Sequence, residues 1–169
     1  MGSTKASEFN ADFQTFLTLV GHLNYTWTNT ESLLIHMIAG LTDVRKDIAT
    51  VIFLTLNTSR ARIDLVERLA KMDGQKAETR DEILELTKSM HKVLKLKNKY
   101  NHCIYSFDNE GQNASTVLMR ISDRKNSIEF GKTSPINKRE ISLVKETILK
   151  TEAVNKALWE FFRRRKFPV

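Results

Sequence analysis

Lys97, Asn98 and His102 are the residues whose types and spacing come nearest to chemistry on a phosphodiester. If this segment is helical, Asn98 and His102 lie four positions apart on one face. Lys97 is then turned by about 100° from Asn98. Lys88, Lys92, Lys95, Lys97 and Lys99 follow with no acidic residue between Glu85 and Asp108. A strip of like charge is either well solvated or a seat for an anion. An imidazole beside fixed positive charge tends towards its neutral form, which can take up a proton, donate a hydrogen bond or ligate a metal. The spacing therefore permits phosphodiester chemistry without requiring it.

A helix that carries a basic residue, then Asn, then His five positions after the basic one resembles the Arg-Asn-x-x-x-His signature of the HEPN superfamily. The helix order from about Asp12 to Tyr105 is similar as well. The resemblance implies an all-helical domain that works as a homodimer. It implies either a metal-independent endoribonuclease of the toxin type or a non-catalytic module that binds RNA, nucleotide or protein. On the matching positions, His102 would handle a proton, Asn98 would orient the reacting group and Lys97 would steady phosphate charge. No cofactor and no metal enter that chemistry, because the ribose 2′-hydroxyl can attack. Lys97 stands where the family has Arg. A guanidinium presents a planar fork to phosphate and an ammonium only a point charge, so the exchange favours binding over cleavage.

The chain of 169 residues is long enough for one domain with a core and short for two. Two prolines and six glycines point to long helices rather than a turn-rich β fold. A single cysteine, Cys103, excludes an internal disulfide and a cysteine-cluster metal site, and reads as a small half-buried thiol. No apolar run approaches a membrane span, and no leader opens the chain, so the cytoplasm is the default location. The net charge of +7 favours anionic partners: nucleic acid first, then a membrane surface or an acidic protein.

The positioning elements are read as an up-and-down bundle of four to five long helices. Residues 1–8 form a disordered tail, and 9–169 a single domain. Phe13, Phe16, Leu17, Val20, Leu23, Trp27, Leu34, Ile38 and Leu41 recur at helical spacing, in one long helix or two joined near Thr28–Thr30. Glu31 falls on that stripe, where a carboxylate needs a partner. A structural pairing with Arg60 or Arg62 is the simpler expectation beside an anchoring role at a site. Asp43 is placed to cap a helix that runs past the polar interlude 57–62 to the Asp73-Gly74 stop. Asp81 and Glu82 open the helix that carries the motif on its last turns. Tyr105 to Asn113 reads as a loop turning at Asp108–Gly111. A β-hairpin insertion follows, with strands near 116–122 and 127–131. Asn137 caps the last helix, which ends in the basic block Arg163 to Lys166.

Three functions fit these residues. The first is a metal-independent endoribonuclease centred on His102. The second, ranked slightly ahead, is a non-catalytic module whose Lys92, Lys95, Lys99, Arg60 and Arg62 meet RNA, a nucleotide or an acidic partner protein. The third is a structural homodimer in which Asn98 and His102 are buried and paired with Glu31 or Arg62.

Overall fold

The computed structural model describes residues 2–109 and 113–169, with side chains from Ala11 onward. The chain is mostly helical, about 68% of residues, with a small antiparallel strand region. The elements in order are α1 (Gly2–Ser32), α2 (Leu34–Thr42), α3 (Lys46–Thr55), α4 (Ser59–Ala70) and α5 (Ala77–Asn101). Then come β1 (Cys103–Phe107), β2 (Ala114–Leu118), β3 (Ser122–Arg124), β4 (Ser127–Glu129), β5 (Thr133–Pro135) and α6 (Lys138–Arg165). The backbone is helical from Gly2, where the sequence pointed to a disordered tail.

The chain divides into two compact units. One comprises residues 1–24 and 96–148, the other 25–95 and 149–169. The first unit has a core of Phe16, Leu23, Tyr100, Ile136, Val144 and their neighbours. Phe16 meets Tyr100 edge to face, with ring centroids 5.6 Å apart. The core of the second is built on Trp27, Leu34, Met37, Ile63, Met90 and Phe161.

Several helix ends differ from the sequence reading, each for a local reason. The first helical stretch divides at Leu33 rather than near Thr28–Thr30, and Leu33 itself keeps right-handed helical angles. Asp43 ends α2 instead of starting α3: it sits in the left-handed region at φ 53°, and its N–H bonds the Ala39 carbonyl. A short polar residue tolerates that conformation best after glycine. The interlude 57–62 is a true break. Leu56 is extended, and Thr58 caps α4 by accepting from the Ala61 N–H. Asp73-Gly74 lies beyond the end of α4 at Ala70, and Gly74 takes φ 92° in the following turn.

The Tyr105–Asn113 loop reading is corrected at its start, since residues 103–107 form β1; the turn expected at Asp108–Gly111 lies partly outside the described residues. The expected hairpin is also repartitioned. β2 lies between β1 and β5, pairing antiparallel with both, and only β3 and β4 form the short hairpin, with Ser122 opposite Glu129. A Cβ at Gly131 would overlap the Leu118 carbonyl oxygen, so glycine is required where the chain passes that close to β2.

Candidate anion-binding site

Period-two alternation explains the site in the unit of residues 1–24 and 96–148. Cys103 and Tyr105 share one face of β1. Register carries that face across the sheet: Cys103 faces Leu118, Tyr105 faces Thr116, and Thr116 faces Ser134. These side chains are the covered ones, whereas Ile104 on the opposite face is exposed. Cys103, Thr116, Leu118 and Ser134 line a cavity of about 260 Å³, closed by Lys99 from α5 and Lys132 before β5. The lining carries two ammonium groups, two hydroxyls and a thiol on a partly apolar floor, and the Lys99 ammonium is already paired with Glu140.

The end of α5 is held by a carboxylate of α6. Glu140 Oε2 accepts from Lys99 Nζ at 2.7 Å and from the Tyr100 hydroxyl at 3.0 Å. Burial, then the Glu140 charge and its hydrogen bond, push the Tyr100 phenol well above its ordinary range. Asn137 fixes the start of α6 by accepting from the Arg139 and Glu140 N–H groups. Tyr105 donates its hydroxyl proton to the Tyr100 carbonyl at 3.3 Å, and burial raises its phenol to about 12. The half-buried Cys103 thiol donates to the same carbonyl at 3.2 Å, and burial raises its pKa too. A thiol kept protonated is a poor nucleophile.

Lys97, Asn98 and His102 are not among the residues lining this cavity. The His102 N–H closes the last turn on the Asn98 carbonyl at 3.1 Å, and the His102 carbonyl accepts from the Met119 N–H. The His102 side chain is exposed, and Lys97 and Asn98 are half-buried. Among the described residues none of the three side chains makes a hydrogen bond or ion pair. The buried pairing of Asn98 and His102 with Glu31 or Arg62 is therefore overturned.

Arg62 is likewise withdrawn from the anion-binding set. It belongs to the unit of residues 25–95 and 149–169, and its Nη1 meets Glu31 Oε1 at 3.1 Å. Its Nε donates to the Phe53 and Leu56 carbonyls at 3.1 and 3.0 Å. The guanidinium also lies over the Phe53 ring, 4.2 Å from its centroid. These carbonyls end α3 and would otherwise lack a partner, so Arg62 caps that helix. Trp27 Nε1 donates to the second oxygen of Glu31 at 3.1 Å, which completes the carboxylate. Glu31 thus has a structural pairing.

Arg60 is exposed and pairs loosely with Asp64 at 3.8 Å. Lys92 and Lys95 are exposed on α5. In the basic C-terminal block, Arg164 and Arg165 both pair with Glu82. Burial raises the Glu82 pKa, yet the two guanidiniums outweigh it and hold the carboxyl below its ordinary value. The sequence reading missed Lys132, Thr116 and Ser134. Alternation in β2 was a signal for Thr116 alone, and it does not reveal that β5, with Ser134 and the preceding Lys132, flanks β2.

No protein-family model matches this chain, and no curated protein or solved structure is significantly similar to it.

Proposed function

We propose that this chain is a HEPN-like helical bundle of the up-and-down type that binds RNA or a nucleotide without cutting it. The observation that carries the reading is the cavity bounded by Lys99 and Lys132, whose lining residue Cys103 is next in sequence to His102. A phosphate there would meet the Lys132 ammonium and the Thr116 and Ser134 hydroxyls, and would compete with Glu140 for Lys99. The half-buried Lys97 lies two residues before Lys99, on a different face of α5, and would meet a phosphate further along a strand. Backbone contacts of this kind dominate affinity for nucleic acid and make it salt-dependent. Binding is favoured over cleavage by Lys97 in place of arginine. The homodimer belongs to the same reading; light scattering that returns the 19.5 kDa of one chain at working concentration removes it.

Fluorescence anisotropy with a labelled single-stranded RNA tests the reading. Wild-type affinity should fall steeply between about 50 and 200 mM salt. Lys132→Ala and Lys97→Ala should each weaken binding across all sequences and lower the salt slope by about one. Salt-independent binding, or variants that bind like wild type, overturns it. The endoribonuclease reading is favoured by the solvent-reachable His102 imidazole. RNA cleavage in the presence of chelator, lost in a folded His102→Ala protein, would replace binding with catalysis.

A further inference from the structure

Asp64 and Glu67 lie one helical turn apart on α4, and His91 reaches them from α5 within the same unit. His91 Nε2 is 3.4 Å from Glu67 Oε1 and 3.9 Å from Asp64 Oδ1. One ligand atom from each residue falls within 4.8 Å of the others. All three side chains are partly covered, with accessibilities of 33%, 23% and 35% for Asp64, Glu67 and His91. Open coordination positions would therefore face water.

The distances are compatible with a donor set. A charge-assisted hydrogen bond closes to about 2.7–2.9 Å. The separations here are longer than that. Donors bound at about 2.1 Å to one ion stand roughly 3.0–3.4 Å apart, set by octahedral or tetrahedral angles. The Glu67–His91 separation already meets that spacing, and Asp64, at 3.9 Å from His91, would have to close in to join it. Among the described residues Asp64 is otherwise engaged only by the exposed Arg60 at 3.8 Å, a contact readily displaced. One imidazole with two carboxylates is a borderline N/O set, suited to zinc among the common divalent ions.

We propose that Asp64, Glu67 and His91 bind one Zn²⁺ ion, and that the ion ties α4 to α5. This site is separate from the cavity bounded by Lys99 and Lys132, and its fate does not depend on the RNA-binding reading. The bound ion stabilises the native chain by mass action, since the three donors meet only when α4 and α5 are in place.

The test uses the full chain freed of metal, with Zn²⁺ and then Co²⁺ as probes. One equivalent of Zn²⁺ should raise the melting temperature of the wild type, and the rise should vanish in Glu67→Gln and His91→Gln. His22→Gln should keep it. The Co²⁺ complex should show ligand-field absorption without sulfur charge transfer, because Cys103 is not a ligand. His91→Cys should retain Co²⁺ binding and gain the near-ultraviolet thiolate band, which a merely structural His91 would not produce. Absence of a melting shift at one equivalent, a shift that survives in both Gln variants, or no new band in His91→Cys overturns the proposal.

Discussion

Glu31 is a carboxylate on an otherwise apolar helical stripe, and its two oxygens are occupied by different partners, Trp27 Nε1 and Arg62 Nη1. Burying such a group is tolerated only when paired and hydrogen-bonded. Arg62→Ala would leave the carboxylate uncompensated and the Phe53 and Leu56 carbonyls without their donor. The expected loss is about 3–5 kcal/mol, read by urea denaturation. Arg62→Lys should recover only part of it, because a single ammonium cannot serve a carboxylate and two carbonyls as a planar fork does. A loss under about 1 kcal/mol would mean that the pair behaves as a surface salt bridge. The stripe made the need for a cation legible at Glu31. It could not choose between Arg60 and Arg62, because that depends on where α3 stops and how α4 is turned.

Element ends show the same division between local and distant causes. Asn137 is legible as a cap because the signal is confined to one turn: its Oδ1 accepts from residues two and three positions on. Asn137→Ala should cost about 1 kcal/mol in a chemical denaturation series, with Asn137→Ser close to neutral. A larger loss would show that the side chain does more than cap, for instance by setting where Glu140 meets Lys99 and Tyr100. β1 was not legible. Cys103–Phe107 follows α5 after the single turn residue His102, with no glycine or proline between, so helical periodicity simply runs out. Its strand character comes from pairing with β2, and no property of the five residues announces that partner. The motif did lie at the end of α5 as the apolar spacing implied, while its surroundings came from β2, β5 and α6.

At the scale of the molecule, a histidine the sequence left unremarkable couples stability to pH. His36 is buried against Trp159 and Phe162, and its Nδ1 donates to the Pro168 carbonyl at 2.9 Å, from 132 positions away. That carbonyl can only accept, so the neutral ring carries its proton on Nδ1. Burial lowers its pKa below the ordinary 6.5, outweighing the Pro168 hydrogen bond, and the Lys46 charge lowers it further. The unfolded chain therefore binds the proton more readily. This contribution to stability is complete above pH 6.5 and is lost as the pH falls towards the folded value. Melting temperatures between about pH 5 and 8 should drop at the acid end in the wild type, and drop less in His36→Gln. Parallel profiles would place the acid sensitivity elsewhere.

The amino-acid sequence by itself determined the predominance of helix, the absence of any helix long and apolar enough to cross a membrane among the described residues, the end of α5 at the motif and the cap of α6. All of these follow from composition and from interactions within about four residues along the chain. Only the tertiary structure decided which carbonyls Arg62 serves, which strands flank β2, and that Asp64, Glu67 and His91 come together. Those pairings join residues far apart in the chain, and their geometry is set by core packing and sheet register, which no local pattern encodes.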